Sequence, residues 1–193
     1  MANRPSSSAA AIIGPQYCAP ASHPVDLIIT KERTLRDNFT VTDINDSIVF
    51  TVKSPLVTIV TPREHRFLHD AHGNPILHLR RALLAASDCW EAFSGKSTEP
   101  KDLIFTRKRS SLFQLRTTLN VFLANNTTKV CDFKVKANLS ARSWVVYIGE
   151  SDTVAAKIKK KFGSVFSREK FMVTVSPNID YAFIVGLIVT LDD

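Results

Sequence analysis

The chain closes with YAFIVGLIVTLDD, residues 181–193, in which no side chain from Tyr181 to Leu191 is charged. A helix over these eleven residues would be only about 16 Å long, whereas a membrane-spanning helix needs about 20 apolar residues. The run shows no polar stripe at a two-residue or a 3.6-residue period, so it must be surrounded by protein. The residues alone allow a buried helix or a buried strand, because several of them are β-branched: Ile184, Val185, Ile188 and Val189.

Strand-like runs recur along the rest of the chain, spaced about 8 to 12 residues apart with turn residues between them. They cover 25–30, 39–44, 47–52, 57–61, 65–70, 75–84, 89–94, 101–108, 112–119, 129–137, 143–149, 153–162 and 170–176. This spacing is typical of an all-β sandwich or barrel. The Ser-, Ala- and Pro-rich start of the chain predicts a flexible arm over residues 1–23, followed by one domain over 24–193.

The charge of the chain is +7 and lies mainly in its second half. Up to Lys96 there are 10 basic against 9 acidic residues, and after it 15 against 9. A moderate basic excess favours anionic surfaces such as lipid headgroups or nucleic acid. Aromatic residues occupy mostly alternating core positions, so a stacking platform for single-stranded nucleic acid is not predicted.

Two basic clusters are the candidate headgroup-binding residues: Lys157, Lys159, Lys160 and Lys161, and Arg107, Lys108 and Arg109. Read as a strand, the stretch 153–162 places Lys160 opposite the other three lysines. Read as a helix, it brings Lys157, Lys160 and Lys161 together. Both readings expose a basic patch. Lys134 and Lys136 alternate with apolar neighbours and also face outward in a strand.

Enzyme and metal signatures are absent from the sequence. There is no G-x-S-x-G motif, and the six glycines are too scattered to build a phosphate loop. Four histidines between His65 and His78 match no zinc spacing, so they are predicted to be surface and hairpin residues. Cys18, Cys89 and Cys131 form an odd, widely spaced set, which predicts reduced thiols in the cytosol or nucleus. We therefore predict no catalytic residue, metal or cofactor, no transmembrane segment and no secretion signal.

Several segments taken together resemble the plant LURP-one-related family. They are GPQYCAP, PVDLII, FTVTDI, HDAHGNPI, CWEAFSG, VFLANNT, VCDFKVKA, VVYIGES and FMVTVSPNIDYAFIV, and they run from about Gly14 to the end of the chain. The resemblance implies a tubby-like fold, mainly β, in which a closed antiparallel barrel of about 12 strands surrounds a hydrophobic C-terminal helix at about 179–191. The terminal run would then be that helix, with Phe183, Ile184, Leu187, Ile188 and Leu191 in the core.

The resemblance also implies a functional class. The fold is shared with membrane-tethered tubby transcription factors and phospholipid scramblases, and members of the family are linked to plant defence. The prediction is a non-enzymatic, monomeric module that binds phosphoinositides or other anionic lipid and tethers a regulatory protein. Its location would be the cytosol, the membrane periphery or the nucleus. The alternative is a protein-interaction scaffold in defence signalling that does not bind lipid.

Overall fold

The computed structural model describes residues 11–32, 37–57, 63–82, 88–110, 118–138, 140, 142–161 and 169–191. Within these ranges the strands are β1 (Val25–Lys31), β2 (Phe39–Thr42), β3 (Ile48–Lys53), β4 (His65–Asp70), β5 (Pro75–Arg81), β6 (Cys89–Ser94), β7 (Leu103–Arg109), β8 (Thr118–Leu123), β9 (Phe133–Ala137), β10 (Ser143–Ile148), β11 (Val154–Lys161) and β12 (Lys170–Val175). One helix, α1 (Tyr181–Ile188), follows them. Short 3-10 turns at Pro15–Tyr17 and Pro100–Asp102 precede β1 and β7.

The strands form a closed barrel because β1 pairs with both β2 and β12. Ile29, for example, lies opposite Val41 on one side and Phe171 on the other. All other pairings are between strands that follow one another in the chain, and all are antiparallel. Each described strand thus has two partners and offers no free edge. The prediction of a closed antiparallel barrel of about 12 strands with a C-terminal helix is confirmed.

Helix α1 lies inside the barrel. Every residue from Ala182 to Ile188 is buried, and Phe183 packs edge-on against Phe105 of β7 at 5.2 Å between ring centroids. Its ring also lies 4.8 Å from that of Phe133 on β9. A helix without a polar side is stable only when all of its faces are buried, and the apolar inner side of the barrel buries them. Of the expected core residues, Phe183, Ile184, Leu187 and Ile188 are fully buried, while Leu191 is partly buried.

The helix is shorter at both ends than the expected 179–191. Asp180 has extended backbone angles and caps the first turn, since its side chain accepts a hydrogen bond from the Phe183 amide. After Ile188 the chain tightens, as the Thr190 amide donates to Leu187 O and the Leu191 amide to Ile188 O.

Four of the expected strands and the N-terminal arm fall partly outside the described residues. The runs at 75–84 and 153–162 lose only residues 83–84 and 162. Of the run at 57–61 only Val57 is described, and it is in no strand. Of the run at 112–119 only the last two residues are described, and they begin β8. Of the arm, residues 11–23 are described, and Ile12 and Ile13 pack against the core. The division into an arm and a domain stays a prediction.

The two ends of the barrel differ in charge. We call the end at which α1 begins the upper end and the opposite one the lower end. The twelve strand termini at the lower end include six cations, Lys31, Lys53, Arg81, Arg109, Lys161 and Lys170, and no acidic residue. The twelve at the upper end include no Lys or Arg and one acid, Asp70.

Candidate functional site

The lysines of β11 divide between the two sides of the strand as a two-residue period requires. Lys157, Lys159 and Lys161 are exposed on the outer side of the barrel, whereas Ala156 and Ile158, next to them in the strand, are buried on the inner side. Lys160 faces the inner side at the lower end. Its ammonium pairs with Glu169 and lies 5.3 Å from the centroid of the Phe171 ring. Three of the four lysines are thus available at the surface, while Lys160 forms part of the ion pairs that cover the lower end of the barrel.

A like-charged pair crosses from β11 to β12. Lys161 lies directly opposite Lys170, and both side chains are exposed. Neither forms an ion pair with any described residue. Like charges directly opposite one another destabilise an antiparallel pair, so this position has a local excess of positive charge that the fold does not neutralise. An anion bound here would relieve that repulsion.

The positive surface continues across β10 to β9. Lys136 of β9 and Lys157 of β11 both lie opposite Val145, one on each side. They are therefore about 9.6 Å apart across two strand spacings. Lys136 lies 4.8 Å from the centroid of the Tyr147 ring. We call the outer side of β9 to β12 the basic face and define it by six lysines: Lys134, Lys136, Lys157, Lys159, Lys161 and Lys170.

One acidic residue reduces the charge of the basic face. Glu150 forms an ion pair with Lys134, and this hydrogen bond lowers the pKa of the Glu150 carboxyl. The pair is at the upper edge of the face, so it leaves the lysines of β11 and β12 uncompensated. The strongest positive charge is consequently toward the lower end.

The second predicted cluster does not join this face. Arg107 is 1% exposed and lies on the inner side of β7, with Phe105. Its Nε donates to Thr190 Oγ1 at 3.2 Å, its Nη2 to the Thr190 carbonyl, and its Nη1 pairs with Asp88. It thus binds the carbonyl end of α1, where a cation is favoured. Lys108 and Arg109 are exposed, but β7 is four strands away from β11 around the barrel.

The lower end is closed by a layer of ion pairs beneath the exposed lysines. Arg66, fully buried, pairs with Glu64 and lies 3.5 Å from Asp37, and its guanidinium carbon is 4.9 Å from the Trp90 ring centroid. Arg107 with Asp88 and Lys160 with Glu169 complete the layer. Because these acids are bound to inner cations, they do not neutralise the outer lysines.

Two of the histidines, His65 on β4 and His78 on β5, form a contacting pair. His65 Nδ1 and His78 Nε2 are 2.8 Å apart, and His78 Nδ1 is 2.8 Å from the Ser97 carbonyl. Burial lowers the pKa of both imidazoles, which are stacked at 5.0 Å. Among the residues described, no three His, Cys, Asp or Glu side chains are grouped to hold a metal ion.

Two further observations concern the cysteines and the helix among the described residues. The three cysteines are free thiols, and burial raises the pKa of Cys89 and Cys131, which keeps these thiols protonated. No described helix has the length and apolar character needed to cross a membrane.

Comparison with known proteins places the chain in a family. The family model described as LURP-one-related matches residues 25–192. LURP-one-related 15 of Arabidopsis thaliana is 45% identical over 94% of this chain and 84% of its own length, and LURP-one-related 10 is 46% identical over 95% of both chains. The Arabidopsis protein LURP1 is 44% identical over 93% of this chain and 87% of its own length.

A solved structure agrees with the fold. The X-ray structure of an Arabidopsis thaliana protein that is 40% identical matches with a TM-score of 0.73, covering 94% of this chain and 96% of that one. The sequence matches and this shared architecture lead to one conclusion: the chain belongs to the LURP-one-related family.

Proposed function

We propose that this protein is a non-enzymatic module that binds anionic phospholipid surfaces through its basic face and so tethers a regulatory protein at the membrane periphery. The single observation that carries the proposal is the exposed pair Lys161 and Lys170, which lie opposite one another without an ion-pair partner among the described residues. Phosphoinositide headgroups, with several phosphates each, are the lipids that such a pair would favour.

The size and shape of the basic face suit a membrane. Strands β9 to β12 span about 14 Å, three strand spacings, so its lysines can approach one lipid surface together. Each Lys near an anionic membrane contributes about 1 kcal/mol, and four to six of them would give roughly 4 to 6 kcal/mol. This attraction is electrostatic and decreases as salt is added. We therefore expect reversible, salt-sensitive binding.

Two further parts of the proposal come from the family. The resemblance to tubby-like and scramblase-like proteins supports a membrane-tethering role. The names of the relatives, which include LURP1, support placing the tether in the defence responses linked to the family. The competing function is a scaffold that binds proteins and no lipid.

Vesicle sedimentation separates these functions. The purified chain is mixed with phosphatidylcholine vesicles alone, with added phosphatidylserine, or with an added phosphoinositide, at low salt and at about 0.15 M salt. The test variant carries Lys159→Glu, Lys161→Glu and Lys170→Glu. Because the last two changes replace one like-charged pair by another, the fold loses no cross-strand attraction. The variant should lose at least tenfold in binding to the anionic vesicles.

A charge-matched control is available on other surfaces of the barrel. Lys96, Lys101 and Lys129 are exposed outside the basic face, and reversing all three changes the net charge by the same amount. If binding depends on the basic face, this control retains most of the wild-type affinity. Equal losses in both variants would mean that net charge alone is responsible. No binding of the wild-type chain to any anionic vesicle would favour the scaffold.

A further inference from the structure

A groove of about 600 Å³ lies at the upper end, on the side of β3 and β4. Its walls are the 3-10 turn at Pro15–Tyr17, the turn between β2 and β3, the turn between β4 and β5, and the start of α1. This volume is within the range of about 300 to 1,000 Å³ typical of binding clefts. It is separated from the lower end by the length of the strands, about 20 Å.

The floor of the groove is aromatic. The rings of Tyr17, Phe50 and Tyr181 contact one another, with centroids 5.6 to 6.0 Å apart. Phe50 is buried, whereas both tyrosines are partly exposed to the groove. Tyr181 Oη donates to the Gln16 carbonyl, and burial raises the pKa of its hydroxyl, so the ring is held in place and neutral. Such rings offer apolar area and a negative face that attracts cations.

Two exposed isoleucines extend the apolar surface at one side of the groove. Ile48 lines the groove and is 54% exposed, and Ile44 in the preceding turn is 73% exposed. Both are β-branched and therefore rigid at χ1. Large apolar side chains exposed beside an aromatic groove form the kind of patch that marks an interaction site.

Carboxylates give the groove its charge. Asp43 Oδ1 accepts hydrogen bonds from the Asn45 and Ser47 amides, and Asp70 Oδ1 accepts them from the His72 and Asn74 amides. These turns fix both carboxylates at the edge of the groove. The hydrogen bond from the Asn74 side chain lowers the pKa of Asp70, which keeps it ionised.

None of the described residues that line the groove is Lys or Arg. The two carboxylates therefore make the groove negative, whereas the lower end is positive.

We infer that the upper groove docks a segment of a partner protein in which Lys or Arg stands next to apolar side chains. The cation would lie between Asp43 and Asp70 over a tyrosine face, and the apolar neighbours would pack on Ile48. The inference does not depend on lipid binding. If both surfaces act, the same molecule can hold a membrane at its basic face and a basic partner segment at its upper end.

Selection from a library of displayed random peptides of about twelve residues tests the inference, with the intact chain as bait. Peptides that combine Lys or Arg with Leu, Ile or Phe should be enriched. Synthetic copies are then titrated by fluorescence anisotropy against the double variant Asp43→Asn with Asp70→Asn, and against Ile48→Thr. Asn keeps the oxygen that accepts the turn amides and removes the charge. At Asp70 it loses only the exposed hydrogen bond from the Asn74 side chain to Oδ2, so the fold is preserved. Each variant should weaken binding about tenfold or more.

The matched control is Asp26→Asn with Asp152→Asn, which removes two exposed carboxylates outside the groove and should leave the affinity within about twofold. The inference is overturned if the selected peptides are acidic, if none is enriched, or if the control weakens binding as much as the groove variant. It is also overturned if the groove variants instead reduce binding to phosphatidylcholine vesicles, since the groove would then be a lipid site.

Discussion

Asp180 connects the N-terminal segment to the internal helix, and removing its charge gives the sharpest test of the fold. The residue is fully buried. Oδ1 accepts from the Phe183 amide at 3.0 Å, while Oδ2 accepts from the amides of Ile12, Ile13 and Gly14 at 3.0, 2.6 and 3.2 Å. A buried carboxylate is tolerated only when it is hydrogen-bonded in this way. We therefore choose Asp180→Asn as the perturbation, because it changes one oxygen and nothing in the size of the side chain.

The magnitude follows from the two oxygens. Asn keeps Oδ1 and remains a good helix cap, so the bond to Phe183 survives. Its Nδ2 group replaces Oδ2 and places an N–H donor against the three amide donors of Ile12, Ile13 and Gly14. A hydrogen bond to a charged group is worth about 1.5 to 3 kcal/mol, and three amides sharing one oxygen count as about two full bonds. We expect a loss of about 3 to 6 kcal/mol, which lowers Tm by roughly 6 to 24 °C for a chain of this length.

Thermal unfolding followed by circular dichroism measures the stability, and hydrogen exchange measures the amides of residues 12–14. Asp180→Ala should be less stable than Asp180→Asn by about 1 kcal/mol, since it loses the cap as well. The control Asp26→Asn removes an exposed carboxylate that accepts from Thr174, and it should change stability by less than about 0.5 kcal/mol. The reasoning is refuted if Asp180→Asn melts with the wild-type protein and residues 12–14 exchange no faster.

Three further predictions concern the core and the ion pairs. Gly186→Ala places a Cβ 2.5 Å from Leu77 Cδ2 and should lower the free energy of unfolding in urea by about 1 to 3 kcal/mol. An unchanged free energy of unfolding would mean that Leu77 moves aside freely. Arg107→Met leaves the Thr190 carbonyl without its donor and Asp88 with only Arg81, at 3.7 Å, and should cost about 3 kcal/mol in the same assay. A loss below about 1 kcal/mol would contradict the structural role of Arg107. Burial lowers the pKa of His65 and His78, so the unfolded chain binds protons more readily than the folded chain. The free energy of unfolding should therefore fall as the pH drops below about 6.5. His78→Gln should make this dependence on pH weaker, and an unchanged dependence would exclude the pair as its origin.

The fold was predictable because one feature of the sequence allowed few solutions. A run without a polar side from Tyr181 to Leu191 needs a surrounding structure, and the strand-like runs provide it. The residues alone could not decide whether this run is a helix or a strand, because many of them are β-branched and favour strands. The resemblance to the family decided it. The closure of β1 on β12 is a contact between distant parts of the chain that no local pattern encodes.

The site was predictable only in part. The two-residue period of a β-strand shows which of its residues could be assigned to a side of the barrel from the sequence. In β11 the two-residue period separates Lys160 from Lys157, Lys159 and Lys161, as the strand reading required. The same rule applied to β7 would have put Arg107 on the side of Phe105 and so inside the barrel.

Lys170 could not be found in this way, because its importance comes from the register that places it opposite Lys161. An Asp before a helix is a recognisable capping residue, but the bonds of Asp180 to residues 12–14 join parts of the chain that are distant in sequence and that no local pattern connects.

The distribution of charge follows from how the barrel holds its helix. At the lower end the C-terminal end of the helix dipole favours cations, and Arg107 supplies one by donating to the Thr190 carbonyl just beyond α1. At the upper end the first amides need acceptors, and Asp180 supplies them. The barrel therefore needs basic residues at one end and an acidic residue at the other for structural reasons alone. The exposed lysines around the lower end exceed that need, since Lys53, Lys161 and Lys170 reach no acidic group among the described residues. Stability does not require this excess, and the repulsion between Lys161 and Lys170 even lowers stability. The excess is therefore the part of the charge pattern that a binding function explains.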